Sequence, residues 1–447
     1  MVCSEQNLAP EEYRLFLLPA RSTGPLALRE GPCWRLPKIS IPKWTRAAEH
    51  LQQAVFKRWG LHVIVLDCRT SDSGSSHWAS AEILSPGVPD FMTAVELDEI
   101  ADEDLSRDEK ETARSILSEM DTGQDGPFSR RYWIEEAVEW LRTALPGADV
   151  RPDGIRQYNA SGRFALIRFA TRGGSTYWLK ATGHPNQHEL GVTLCLSELC
   201  SEHLPRLIAV HPEWNAWIME DGGQPLPERP PDRALEAAAE SLAAMQIKTI
   251  HSTDLLLKVG AFDQRLPVLV EHLDTIIEYL VEAMSRQTST NVAPLAKERL
   301  RDLGYILRNA FYRMEALHLP DTVLHNDLNA GNLLYDGRSC VFTDWSEAAV
   351  GHPFLSFERL CRLSNDDRAP LKEIYRRFWL NALSEQSVEE AFVLMPLLAI
   401  FAYLYGRGNW LRDEQERPPY FESHARSLAR HMDREARNPL LLETLCR

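Results

Sequence analysis

Residues 325–344 hold the densest chemistry of the chain. They read His325-Asn326-Asp327-Leu328-Asn329-Ala330-Gly331-Asn332-Leu333-Leu334-Tyr335 and, after a short turn, Cys340-Val341-Phe342-Thr343-Asp344-Trp345. One Asp is followed five residues later by an Asn, and a second Asp stands twelve residues beyond that Asn. Phosphoryl transfer uses such a set: an Asp to hold the attacking hydroxyl, an Asn and an Asp to hold magnesium, and positioning for the rest. The neighbouring pattern supplies the positioning. Thr322-Val323-Leu324 is apolar and β-prone and leads into His325. Residues 332–335, Asp336-Gly337 and 339–343 read as strand, tight turn, strand. A hairpin returns the chain on itself, so Asp327, Asn332 and Asp344 are expected to converge at one end.

His325-Asn326-Asp327 with Asn332, followed by Phe342-Thr343-Asp344-Trp345, resembles the signature of the aminoglycoside phosphotransferase family. That family is similar in fold to eukaryotic protein kinases, whose His-Arg-Asp and Asp-Phe-Gly are replaced here by His325-Asn326-Asp327 and Asp344-Trp345-Ser346. The replacement suits the small-molecule branch. The resemblance implies that Asp327 is the catalytic Asp, that Asn332 and Asp344 are magnesium ligands, and that His325 braces the loop. The bland alternative, a polar loop beside an ordinary hairpin, does not account for the partners that stand upstream in the required order.

Those partners begin near residue 155. Ile155–Tyr158, Phe164–Phe169 and Thr176–Ala181 read as three strands, separated by the turns 159–163 and 172–175. They resemble the kinase N-lobe meander. Gly162 then lies where backbone N–H groups cover phosphates, and Lys180 takes the place of the strand lysine that grips the α/β-phosphates. Lys180 needs an acidic partner on the next helix, over 188–199. Glu189 opens that helix as in the family, and Glu198 is the alternate. The strand Ala216–Met219 runs into Glu220-Asp221-Gly222-Gly223. In kinase-like folds the main chain at this point reads the adenine edge, which makes Met219, Glu220 and Asp221 candidates.

Helical patterns follow over 233–250, 266–285 and 296–316, the last stopped by Pro320. Val350-Gly351-His352-Pro353-Phe354 resembles the family's turn after the metal-binding Asp. Four further helical patterns cover 358–363, 371–383, 388–405 and 423–436, with Pro396 a candidate kink. The apolar run 391–403 is short for a membrane span and fits a buried helix. Glu347, three residues past Asp344, is a candidate to face an ammonium group of the acceptor. Asp366 and Asp367 read as a solvated loop.

Residues 1–150 lie outside the kinase-like stretch. Strand patterns at 13–19, 61–66 and 78–84 alternate with helical ones at 43–59, 96–120 and 133–145. Trp133 and Trp140 share one face of the last helix and read as core. The order strand, helix, Trp59-Gly60-Leu61, strand is faintly similar to a Nudix-type domain. The helix of that family carries a Glu cluster for magnesium, whereas 48–58 offers only Glu49. If the likeness holds, hydrolysis is lost.

Composition agrees with a soluble cytosolic enzyme. Hydrophobic content is 44% and charged content 25%, normal for a globular protein. The 447 residues exceed one ordinary core. No secretory signal is evident, and eight scattered Cys without a CxxC pair read as reduced thiols. A net charge of −15 disfavours non-specific nucleic-acid binding and is compatible with a cationic substrate. The sequence thus predicts an α+β chain. It has a bilobal protein-kinase-like fold, with a small β-rich N-lobe over 151–221 and a large helical C-lobe over 222–447, behind an added α+β domain over 1–150. ATP (or GTP) with magnesium is expected between the lobes. The acceptor is expected to be a small hydroxylated molecule, an aminoglycoside or another hydroxylated amine among the choices, with no nucleic-acid or membrane partner. A catalytically silent nucleotide- or metabolite-binding pseudokinase module is the alternative. Oligomeric state is left open.

Overall fold

The computed structural model describes residues 10–446 apart from 21, 23, 44–45, 71–76, 365–367, 409, 411–416 and 418–419. The chain is of the mixed α+β class and divides into two compact units, Met1–Leu190 with Arg206–Asp221, and Gly191–Pro205 with Gly222–Arg447.

Two sheets organise the first unit. In one, Pro10–Leu18 runs parallel to His77–Ile83 and antiparallel to Lys38–Pro42, and Val63–Thr70 closes the order. Leu15, Phe16, Leu17 and Leu18 are all buried, as expected of a strand covered on both faces. Alternate residues serve different cores. Leu15 and Leu17 pack with Leu51 and Val55 of the helix Ala47–Trp59. Phe16 and Leu18 pack with Ile116 and Trp133, on the helices Arg107–Thr122 and Trp133–Ala144. The second sheet is an antiparallel meander of Val150–Ser161, Phe164–Thr171, Thr176–Ala181, Ala216–Glu220 and Leu207–His211. Its inward residues Ile167, Phe169, Leu179 and Ile218 share the core of Phe16 and Trp133, so the first 150 residues and the meander bury one apolar mass. Trp133 is fully buried in the core, whereas Trp140 is partly buried against its edge, packed edge-on to Trp214. Side-chain amides stitch the two sheets. Gln157 accepts from the Val65 N–H at 2.7 Å and donates to its carbonyl at 2.8 Å, while Gln52 receives the Gln157 N–H at 3.1 Å.

The helical pattern over 96–120 begins later than expected. Ser106 and Glu109 form a reciprocal capping box, and the helix starts at Arg107. Ahead of it lies only a 3₁₀ turn, Leu97–Glu99. Leu26–Glu30, Cys33–Arg35, Lys38–Pro42, Met92–Ala94 and Leu207–His211 are strands that the sequence pattern did not reveal. Each has three to five residues, too few for a periodicity to register.

The second unit is built of helices around one core. Asp232–Thr249, Lys297–Glu315, Glu385–Arg407 and Phe421–Glu435 contribute most of it. Glu385–Arg407 is long and apolar enough to cross a membrane, yet most of it is buried among its neighbours in the unit. It continues through Pro396 without a break. The pattern over 266–285 is divided into Leu266–Glu271 and Leu273–Ser285. At the division the His272 ring nitrogen meets the Val268 carbonyl at 3.0 Å. Three short strands position the motif residues. Thr322–His325 pairs antiparallel with Ala348–Gly351, which runs parallel to Phe262–Gln264. The hairpin Leu333–Tyr335 with Cys340–Phe342 adds Gln224–Pro225 at its edge. The turn expected at Val350–Phe354 is therefore shorter. Val350 and Gly351 finish a strand and face Val323 and Thr322, 27 and 29 residues upstream. The following helix opens at Phe354, ahead of the expected Glu358.

Candidate functional site

In the second unit the strand Thr322–His325 is buried throughout and delivers Asp327 to a loop that returns through the 3₁₀ turn Ala330–Asn332. Both carboxylate oxygens of Asp327 are engaged. Its Oδ2 accepts from Asn332 Nδ2 at 3.1 Å and from Asn329 Nδ2 at 3.2 Å. Its Oδ1 accepts from Arg407 Nη2 at 3.0 Å. Asn332 Nδ2 also donates to the Asp327 carbonyl at 2.8 Å. Because that amide nitrogen is committed to Asp327, the amide oxygen of Asn332 is directed elsewhere, as a cation ligand requires.

Asp344 follows the strand Cys340–Phe342 in a left-handed conformation, φ 65° and ψ 70°. Few residues other than Gly adopt it, though Asp tolerates it better than most. The Thr343 N–H donates to the Asn332 carbonyl at 3.0 Å, so the residues before Asp344 and at Asn332 are tied by backbone. Ser346 Oγ donates to Asp344 Oδ1 at 3.0 Å. Among the described residues no group of three or more His, Cys, Asp or Glu is gathered as a metal cage. One carboxylate and one amide oxygen suit magnesium, which keeps waters and substrate phosphates as its other ligands.

Two buried side chains brace this loop. His325 Nε2 donates to the Thr343 carbonyl at 2.8 Å, and the His325 N–H donates to Ser356 Oγ at 3.0 Å. Burial keeps the His325 imidazole below its ordinary pKa, so it stands neutral with its proton on Nε2. Asn326 Nδ2 donates to Gln264 Oε1 at 2.9 Å, and Gln264 Nε2 donates to the Ala402 carbonyl at 2.8 Å, on the helix that ends at Arg407.

Glu347 does not stand open to an ammonium group. Arg407 Nη1 is 2.7 Å from its Oε1, so one guanidinium bridges Glu347 and Asp327. Asp366 and Asp367 lie outside the described residues.

In the first unit Lys180, on the strand Thr176–Ala181, donates to Glu189 Oε1 at 2.5 Å. Glu189 is buried and Lys180 nearly so. Glu189 rather than the alternate Glu198 takes the lysine. The lysine nitrogen also lies 5.8 Å from the Trp217 ring centre. Gly162 forms the turn between Val150–Ser161 and Phe164–Thr171. A Cβ there would meet the Asp125 carbonyl oxygen at 2.3 Å, and the Gly162 carbonyl accepts from the Phe128 N–H at 3.1 Å. Close packing against residues 125–128 accounts for this glycine without a phosphate. Met219 lies within the interior strand Ala216–Glu220, paired on both sides. The Glu220 and Asp221 N–H groups donate to the carbonyls of Arg206 at 2.9 Å and Thr176 at 3.3 Å, so neither is left to read a base.

Sequence reasoning missed Arg407, Asn329, Asn326 and Gln264 as parts of this arrangement. Arg407 had one faint signal, being the first charge after the uncharged run 391–406.

Residues 195–390 match the model of the Phosphotransferase enzyme family, APH. No curated protein matches the chain. Among solved structures, the chain is similar to a choline/ethanolamine kinase family protein from Mesorhizobium loti, at 15% identity and TM-score 0.46 over 70% of this chain and 98% of that one. It is similar to a choline kinase from Cryptosporidium parvum, at 17% identity and TM-score 0.44 over 68% and 95%. It is also similar to an aminoglycoside phosphotransferase from Alicyclobacillus acidocaldarius, at 14% identity and TM-score 0.41 over 65% and 93%. The segment that matches the phosphotransferase family model contains Asp327, Asn332 and Asp344 and begins after Lys180 and Glu189.

Proposed function

We propose that the chain is a phosphotransferase that moves the terminal phosphoryl group of ATP (or GTP) to a hydroxyl of a small molecule. The observation that supports this best is the constellation of Asp327, Asn332 and Asp344, in which the Asn332 amide nitrogen is spent on Asp327 and its oxygen is turned away. Asp327 orients the acceptor hydroxyl and takes its proton late. A positioned carboxylate suffices for this, because phosphoryl transfer passes through a loose transition state in which alignment dominates. Arg407, Asn329 and Asn332 fix the carboxylate, so little reorganisation is left for the reacting complex. Asn332 and Asp344 would hold magnesium, which would offset charge on the phosphate oxygens. Lys180, oriented by Glu189, is assigned to the nucleotide phosphates.

The family resemblance implies an aminoglycoside or other hydroxylated amine as acceptor. Glu347, the residue cited for an amine, is engaged by Arg407 and no longer supports that choice. The test is a product assay with the full chain, MgATP and hydroxylated acceptors of differing charge. Phosphorylated product that disappears in Asp327→Ala supports the reading. Nucleotide binding without transfer to any acceptor would favour the silent binding module instead.

A further inference from the structure

Side chains alternate across the meander of the first unit, and its two faces differ. Ile167, Phe169, Leu179 and Ile218 are buried in the core shared with Phe16. The other face carries Lys180, with Leu166 and Trp217 as its cross-strand neighbours. Two residues before it on the strand, Trp178 lies between Arg168 and Met219. Asp221 continues the row of Met219, its N–H donating to the Thr176 carbonyl at 3.3 Å. Tyr158, at the bulge of Val150–Ser161, packs on Trp178 with ring centres 5.0 Å apart and planes inclined at 37°. Arg168 donates from Nη2 to Thr176 Oγ1 at 3.2 Å, and its Nε stands 3.8 Å from Asp221 Oδ2. Tyr158, Arg168, Trp178 and Asp221 all keep part of their surface open to solvent.

This face sets an aromatic surface beside a guanidinium and a carboxylate, about 7 Å along the strand from the lysine assigned to the nucleotide phosphates. Aromatic side chains take the flat face of a nucleobase, and the groups at its edge decide which base it is. The Glu220 and Asp221 N–H groups are spent on protein carbonyls, so at these two residues any reading falls to side chains. Arginine donates to guanine O6, and a carboxylate accepts from the adjoining N1–H and 2-amino groups. The separation of Arg168 Nε from Asp221 Oδ2, longer than a hydrogen bond, suits neighbouring positions on one base edge. Adenine reverses both contacts. Its 6-amino group meets the arginine donor to donor, and its N1 lone pair meets the carboxylate acceptor to acceptor. We propose that Trp178, braced by Tyr158, is the platform for the base of the phosphoryl donor, and that Arg168 and Asp221 select guanine. This rests on the phosphotransferase reading and chooses GTP over ATP as the donor.

The test titrates the full chain calorimetrically with MgGTP, MgITP, MgATP and magnesium tripolyphosphate, and needs no turnover. MgGTP should bind about ten-fold more tightly than MgATP, the worth of one good base-edge contact. MgITP keeps O6 and N1–H but lacks the 2-amino group, and should fall between them. Asp221→Asn, which offers a donor to adenine N1, and Arg168→Gln should each narrow the gap between GTP and ATP while tripolyphosphate affinity holds. Trp178→Leu should cost about ten-fold in GTP affinity, and Trp178→Phe, which keeps a ring, should cost less. Equal binding of GTP and ATP by the wild type, or a preference for ATP, overturns the proposal. So does a GTP preference untouched by both edge variants, or a loss in Trp178→Leu that falls equally on tripolyphosphate, which would make Trp178 structural. Failure of the wild type to bind any of the four, tripolyphosphate included, would remove the phosphotransferase reading and the donor assignment with it. Tripolyphosphate binding without a base preference would remove only the guanine assignment.

Discussion

The His325 imidazole donates from Nε2 to the Thr343 carbonyl at 2.8 Å, joining the residue two before Asp327 to the residue just before Asp344. The bond requires a proton on Nε2, and burial favours the neutral ring by holding the pKa below its ordinary value although the bond itself pulls the other way. His352 is pushed down to about 3 by burial alone. In the unfolded chain both rings take up a proton near pH 6.5. Folding stability contributed by these groups is therefore present above about pH 6.5 and lost as pH falls, at up to ~1.4 kcal/mol per pH unit for each, continuing toward pH 3 for His352. Urea midpoints between pH 8 and 4 should show a shallower acid loss in His352→Gln than in wild type. Parallel curves would remove His352 from the account.

Asp327→Ala should lower phosphoryl transfer by about 10²–10⁴-fold, the usual worth of a positioned general base. Binding of MgATP should survive, since the residue is assigned to the acceptor. Turnover near wild type would mean that another group accepts the proton.

Asp344→Asn removes formal negative charge from the pair assigned to magnesium. ATP affinity should fall when magnesium is present and change little when it is absent. Titrations with and without the ion read this directly, and an unchanged magnesium dependence would take Asp344 out of the metal site.

Glu189→Gln leaves Lys180 with a neutral partner in a buried setting. The apparent KM for nucleotide should rise about ten-fold, as for loss of one charge-assisted bond, with acceptor KM unaffected. Equal shifts in both constants would point to a general loss of folding instead.

Gln157→Leu should destabilise the protein without touching the chemistry. It strips partners from both the N–H and the carbonyl of Val65, at about 1–3 kcal/mol for each buried group left unpaired. A denaturant midpoint equal to that of wild type would show that the two sheets do not depend on this amide.

Much of the constellation was legible in sequence because its parts are local. Asp327, Asn332 and Asp344 lie within eighteen residues, with a turn residue pair between them, and the hairpin that gathers them can be read from alternation and Asp336-Gly337. Lys180 and Glu189 are nine residues apart, on a strand and the helix that follows it. The long helices were likewise visible, since period 3.6 needs only a dozen residues to show. Their ends were less so where capping decided them, as at Ser106.

What the sequence could not decide were contacts between distant segments. Arg407 reaches Asp327 across 80 residues, Gln264 reaches Asn326 across 62, and Gln157 reaches Val65 across 92. Gly162 read as a phosphate-covering turn until its close approach to Asp125 became visible. Glu347 read as an open carboxylate until Arg407 was seen upon it. Spacing within a motif fixes residue types, because backbone geometry limits what neighbours in sequence can do. The charge around a site is the sum over helices that meet only in the folded chain, as where Arg407, at the end of the helix Glu385–Arg407, closes on both Asp327 and Glu347.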